Sequence, residues 1–380
     1  MTSPLHDRAA LKKARRVVVK VGTSLLTGGG LHVNRPYLRA LAAALGELWN
    51  QGREVALVTS GAIGAGAGQL GFETRPQSVP ERQACAAAGQ VALMHYYAEA
   101  FRKQTPPRAV GQLLLTRDGL EDRTRYLNAR HTLEALFERG AVPIVNENDT
   151  VSVDEIKFGD NDRLSALVAV AAEAQALVLL TDVPGLLDAP PRENPDAKLI
   201  SCVPEVTARI EALAAPTGSF LGTGGMVTKL QAAKIVTAAG EAMVLVGGHD
   251  PRVLLEVFDG REVGTYFPPR GDRLVARKRW LAFSARSQGT IRVDAGAREA
   301  LVKRHKSLLP SGIVSVEGRF GSGALVELAG PDGQAFARGL ANYTAAEIDA
   351  IRGLKTQKIA QVLGQLLFEE VVHRDNLVVL

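Results

Sequence analysis

Cysteine is scarce: Cys85 and Cys202 are the only two, and neither sits in a CxxC or beside a histidine cluster. A disulfide scaffold and a structural zinc are thereby excluded. Long hydrophobic runs are missing too. The longest apolar stretch, 164–180, is interrupted by Glu173 and Gln175 and falls short of a membrane span. The opening "MTSPLHDRAALKKARR" is basic and runs straight into "VVVKV", without the apolar segment of a secretion signal. These absences point to a cytoplasmic protein with no membrane contact. No GxxxxGK[ST] occurs, which removes the P-loop. A GxGxxG does occur, at Gly66, Gly68 and Gly71, but it starts several residues after a strand and has no acid about 20 residues on, so it reads as accidental.

What is present describes an ordinary folded chain. Hydrophobic residues make up 46% and charged residues 22% of 380 positions, and roughly 100–200 residues per domain predicts two or more domains. Charge divides unevenly: residues 1–270 carry 29 Lys+Arg against 29 Asp+Glu, whereas 271–380 carry 16 against 11, so the net +5 lies wholly in the last part. The expected division is 1–270 and 271–380, with the Pro/Gly-rich 268–271 as linker.

In the first part, strand-like runs at 17–21, 54–59, 109–115, 141–146, 176–181 and 242–247 alternate with Ala/Leu-rich helical segments at 36–50, 81–103, 123–138, 161–174 and 225–240. Parallel strands need long crossovers, so this order predicts an α/β fold, a mainly parallel open sheet sandwiched by helices. After 273 the texture shifts to short runs spaced by Gly and Asp, "GTIRV", "GIVSVEG" and "GALVELAG", with helices at 344–352 and 355–367; this predicts a small β-rich module.

Ligands of open parallel sheets bind beyond the carboxyl ends of the strands. Four Gly- or Asp-bearing loops fall there: "GTSLLTGGG", "SGAIGAGAG", "ENDT" and "DVPGLLD". Small residues at strand-to-helix turns let backbone N–H groups approach an anion. Lys20 lies inside an apolar strand, where an ammonium is costly unless it meets a partner. Lys229 ends "GTGGMVTK", a loop entering a helix. Together the two lysines suggest a cationic clamp on a transferring phosphate. The segment 146–169 adds six carboxylates in its first seventeen positions beside Lys157.

"VVKVGTSLL", "VTSGAIGAG", "NENDTVSVDEIKFGDNDRLSALVA", "LLTDVPGLL" and "GTGGMVTKLQAAKI" together resemble the glutamate 5-kinases of the amino acid kinase family, and the C-terminal part resembles a PUA domain. The resemblance implies the amino acid kinase fold and transfer of the γ-phosphate of ATP, with Mg²⁺, to the side-chain carboxylate of L-glutamate, the first step towards proline. That acceptor is ionised at pH 7, so the task is to hold two anions together and neutralise them rather than to supply a strong base. The same resemblance gives Lys20, Lys229 and Asp162 catalytic positions, with Asp162 holding both ammonium groups. It gives Ser60, Gly61, Ala62, Asp149 and Asn161 to the substrate, Asp149 facing the α-ammonium. Lys20, Thr181, Asp182 and the run Thr223, Gly224, Gly225, Met226, Val227, Thr228 and Lys229 fall to ATP, and no side-chain ligand is assigned to the metal. Asp160 is read as a helix cap, and "SVDEIKF" as a hairpin strand on which Asp154 and Lys157 are either solvated or paired across it. Relatives often carry an aromatic residue and a threonine where this chain has Leu187 and Asp188.

The resemblance further implies feedback inhibition by proline, a homo-oligomer (dimer or tetramer), for which the Ala-rich 81–103 offers apolar surface, and a glutamyl phosphate reductase as partner. N-acetylglutamate kinase is the rival within the family; it has no use for an acid facing a free ammonium. An RNA-binding role of the basic module is the rival of another class. The aromatic residues of that module, Trp280, Phe283, Phe320, Phe336, Tyr343 and Phe368, are too scattered for a base-stacking surface.

Overall fold

The β-branched and leucine-rich runs of the first part form one seven-stranded sheet in a computed structural model, whose described residues are 7–152, 161–189, 194, 196–214, 225–270, 287–364, 368–374 and 377–379. The strands are β1 (Arg16–Val21), β2 (Glu54–Val58), β3 (Val110–Leu115), β4 (Val142–Glu147), β5 (Ala176–Thr181), β6 (Ala242–Gly247) and β7 (Thr265–Phe267), in the order β3-β4-β2-β1-β5-β6-β7. The first six pair in parallel, and β7 closes one edge antiparallel to β6. β7 is three residues long, too short to leave a pattern in the sequence. All of β4 and β5 and nearly all of β1 and β2 are buried, as expected where helices cover both faces.

The helices of this unit are α1 (Thr23–Thr27), α2 (Arg35–Asn50), α3 (Ala62–Gln69), α4 (Val79–Arg102), α5 (Arg117–Glu121), α6 (Arg123–Glu138), α7 (Asp162–Ala171), α8 (Ala208–Ala214), α9 (Met226–Ala238) and α10 (Val253–Phe258). β1 lies between β2 and β5, so the chain winds outwards from it in both directions and the crevice of the switch point opens at its carboxyl end. α7 packs on β1, β5 and α9 and is buried at nearly every position.

The GxGxxG finds its reason in packing. Gly66 lies inside α3, where a Cβ would stand 1.8 Å from the carbonyl oxygen of Cys85 on α4; the reciprocal Cβ at Gly89 would stand 1.8 Å from that of Ala62. Two helices this close require glycine on both sides of the crossing.

A second compact unit holds the C-terminal residues from Ser287, with 121–123 grouped with it. Its sheet orders β8 (Gly289–Val293), β9 (Ile313–Gly318), β10 (Leu325–Ala329), β11 (Ala335–Leu340) and β12 (Leu377–Val379) as β12-β11-β10-β8-β9. β8 and β10 are parallel and the other pairs antiparallel. The core contains Ile291, Val326, Leu328, Tyr343, Ile348 and Val371. Between β8 and β9 runs α11 (Ala295–Arg304), capped by Asp294; sequence reading gave only strands there. α12 (Ala345–Ile351) matches the expected 344–352 and begins with a reciprocal capping box of Thr344 and Glu347. The helix expected at 355–367 is shorter: a 3₁₀ turn, Thr356–Lys358, leads into Ile359–Leu363, which ends at Gly364. Exposed arginines of this unit are paired with acids, Arg292–Glu317 at 3.0 Å, Arg298–Asp332 at 2.9 Å and Arg352–Asp349 at 2.9 Å.

Candidate active site

At the carboxyl end of β1 the ammonium of Lys20 meets Asp162 Oδ1 at 2.6 Å, and Lys229 of α9 reaches Oδ2 of the same carboxylate at 3.0 Å. The Thr228 hydroxyl lies 3.0 Å from Oδ2 and 2.7 Å from Gly225 O, its one hydrogen shared between the two acceptors. Asp162 is wholly buried and Lys20 nearly so. Buried ion triads seldom stabilise a fold on balance, because desolvation consumes the Coulomb gain. Two ammonium groups converge on one carboxylate, a cationic arrangement that suits an anionic ligand.

Asn161, the N-cap of α7, joins three loops of the rim. Its Nδ2 lies 2.7 Å from Thr59 O, 3.1 Å from Ser60 Oγ and 2.8 Å from Asn146 Oδ1, so two amide hydrogens are shared among three acceptors. Its Oδ1 is buried and has no hydrogen-bond partner among the described residues. Behind this hub Tyr97 of α4 is fully buried, its hydroxyl 2.8 Å from Thr59 Oγ1; burial raises its pKa above the ordinary phenol value. Tyr97→Phe removes one buried hydrogen bond and is expected to cost about 1 kcal/mol. Thermal unfolding should show this as a Tm lower by about 2–4 °C.

Ser60 leads into Gly61, which sits at φ 90° and N-caps α3 without a side-chain hydrogen bond. The first N–H groups of α3 are thus not capped by a side chain. They face a cavity of about 440 Å³ lined by Thr23, Gly61, Ala62, Arg75, Asn146 and Asp149, among others. Asn161 ties this cavity to the lysine–aspartate triad, since its partner Asn146 near the end of β4 lines the cavity and its partner Ser60 directly precedes Gly61, which lines it too.

On the other side of β1, Thr181 ends β5 buried, and its hydroxyl donates to the exposed Asp182 at 3.1 Å. The Tyr37 hydroxyl donates to Gly248 O at 2.7 Å, and Gly248 N to Thr181 O at 2.7 Å, which fixes the β5 and β6 loops together. Gly225 N-caps α9 without a side-chain bond, so Met226, Val227, Thr228 and Lys229 rise from an open helix start. Thr223 and Gly224 lie outside the described residues, as do Lys157, Asp154, Glu155 and Asp160. Leu187 and Asp188 hold a short antiparallel bridge: Leu187 pairs with Leu199, and Lys198 N donates to Asp188 Oδ1 at 2.8 Å. Among the described residues no group of three or more His, Cys, Asp or Glu is placed to hold a metal ion. No helix of the described residues is long and apolar enough to cross a membrane.

The resemblance implied that Lys20, Lys229 and Asp162 come together, and Ser60 with Asn161. Sequence reasoning missed Asn146, Thr59 and Tyr97. Asn146 stood inside the quoted "NENDT" as one polar residue among many. Tyr97 and Thr59 are far apart in sequence, and only the fold brings them into contact.

The sequence profile of the amino acid kinase family matches residues 15–247, and that of the PUA domain matches 289–363. The chain is 51% identical over 373 residues to the glutamate 5-kinase of Moorella thermoacetica, covering 98% of each chain. It is 50% identical to that of Geobacter sulfurreducens over 97% of this chain and 99% of the relative. To the glutamate 5-kinase of Myxococcus xanthus it is 50% identical over the whole of both. A match of this extent establishes that the chain belongs to the amino acid kinase family, among the glutamate 5-kinases.

Proposed function

We propose that the protein transfers the γ-phosphoryl group of ATP to the γ-carboxylate of L-glutamate, giving L-glutamyl 5-phosphate at the entry to proline biosynthesis in the cytoplasm. The observation that carries this reading is the Lys20–Asp162–Lys229 triad, two ammonium groups fixed on one buried carboxylate at the switch point of the sheet.

Both reactants are anions, and their mutual repulsion is the first barrier. Lys20 and Lys229 neutralise the phosphoryl oxygens as charge shifts from the leaving to the attacking oxygen. Asp162 acts as a positioning residue, fixing both ammonium groups so that little reorganisation remains at the moment of transfer. The acceptor occupies the cavity, with its carboxylate end near Ser60 and the start of α3 and its ammonium on Asp149; Asn161 Oδ1 offers a further acceptor. Thr181, Asp182 and the start of α9 receive the nucleotide. Mg²⁺ comes with ATP, since it keeps several waters and binds chiefly through phosphate oxygens. The carboxylate of Asp162 is already engaged by two ammonium groups, so it is not assigned to the metal.

The test is ADP release and hydroxamate formation from L-glutamate in hydroxylamine, run beside N-acetylglutamate and with added proline. Free glutamate should react, N-acetylglutamate should not, and proline should compete with glutamate at the overlapping cavity. Reaction of N-acetylglutamate alone would overturn the role of Asp149. A homo-oligomer is part of the proposal, supported by the exposed Val91 on α4. RNA binding is not favoured, because Arg292, Arg298 and Arg352 of the C-terminal unit are engaged by acids.

A further inference from the structure

We propose that Arg75 is the residue that recognises the α-carboxylate of the acceptor, and so confines the enzyme to α-amino dicarboxylic acids. The inference rests on the glutamate reading above.

Glutamate brings three charges into the cavity. The γ-carboxylate must face the lysine pair to react, and the ammonium pairs with Asp149, which leaves the α-carboxylate. Among the described residues three ionisable side chains line the cavity: Glu73, Arg75 and Asp149. Two are acids and repel a carboxylate; Arg75 is the one cation among the described lining residues. Its guanidinium makes no hydrogen bond or ion pair among the described residues; its only recorded bond is at the backbone, Gln77 Nε2 to Arg75 O at 3.0 Å. The charge is therefore open to a ligand.

The backbone beneath it is held in place. Arg82 Nε donates to Pro76 O at 2.8 Å, so the carbonyls of Arg75 and its successor are both fixed. Pro76 itself is buried, and the capping box of Ser78 and Glu81 anchors the following helix. An arginine presented from a fixed backbone offers a planar fork that fits a carboxylate in two bonds. Without such a group, a molecule with only the γ-carboxylate and the ammonium, such as 4-aminobutyrate, satisfies every other contact. Phosphorylating it would waste ATP.

The experiment compares Arg75→Leu and Arg75→Lys with the unchanged full-length protein, measuring ADP release with L-glutamate, 4-aminobutyrate and glutarate in hydroxylamine. Arg75→Leu should raise KM for glutamate about tenfold, the scale of one partly exposed charged hydrogen bond, with a smaller change in kcat. The preference for glutamate over 4-aminobutyrate should fall by the same factor. The preference for glutamate over glutarate, which lacks the ammonium and so reports on Asp149, should change less than twofold. Arg75→Lys should recover part of the loss. An equal rise in KM for all three acceptors would mean a disturbed loop and overturn the assignment, as would an unchanged KM. If the unchanged protein does not turn over glutamate, the glutamate reading itself fails.

Discussion

Replacing Asp162 with asparagine is expected to lower kcat about a thousandfold, the scale of a lost preorganised charge contact in a buried site. The carboxylate is 0% exposed and accepts from Lys20, Lys229 and Thr228 at once. An asparagine of the same size retains one acceptor oxygen and presents an N–H₂ to whichever ammonium faces the other side. That ammonium is then repelled rather than held, and the transferring phosphoryl group loses a fixed counter-charge. Affinity for glutamate should change little, since the cavity is bordered by other residues. Steady-state ADP release reads the first effect and KM the second. Thr228→Val, which removes a hydroxyl shared between Oδ2 and the carbonyl of Gly225, is the graded control and should cost about tenfold. If Asp162→Asn keeps kcat within tenfold of the unchanged protein, the triad is not the clamp and the phosphoryl group meets other cations.

The sequence made the sheet legible because parallel strands buried on both faces are written as continuous apolar runs. All six parallel strands were placed within one residue at each end, β1 at 16–21 against an expected 17–21 and β5 and β6 as expected, including the half-exposed edge strand β3. Lys20 was legible for a related reason, since a lysine in a buried strand demands a partner, whereas Asp162 as that partner came from the resemblance to the glutamate 5-kinases. Contacts between residues that follow no local period stayed hidden. Tyr97 reads as one more aromatic on a helix until α4 brings it against Thr59, and Arg75 reads as a solvated loop residue until the cavity forms beside it. In the C-terminal unit α11 was missed because "AGAREALVKR" has no apolar stripe and buries only Leu301.

Gly66→Ala should damage the protein more than any other exchange within the GxGxxG, and through packing alone. The new methyl would stand 1.8 Å from the Cys85 carbonyl oxygen and 2.7 Å from Gly89 N, both backbone atoms that cannot swing aside. α3 and α4 would have to separate, at a cost at or beyond the upper end of the about 1–3 kcal/mol typical of overpacked cores. The expected result is a Tm lower by about 10 °C, or insoluble protein. Gly89→Ala meets the Ala62 carbonyl at the same 1.8 Å and should match it. Gly71 has no neighbour within 4 Å and only its φ of +76° to lose, so Gly71→Ala should cost about 1–2 kcal/mol. At Gly68 a methyl meets the ring of the exposed His32, which can turn away. A nucleotide-binding fingerprint would predict a different ranking, with Gly66 and Gly68 abolishing nucleotide binding in a stable fold and Gly89 silent. Equal damage at Gly66 and Gly89 identifies the helix crossing instead. That crossing also sets where α3 begins, so variants that survive should show a raised KM for glutamate, because Gly61 and Ala62 at the cavity move with the helix.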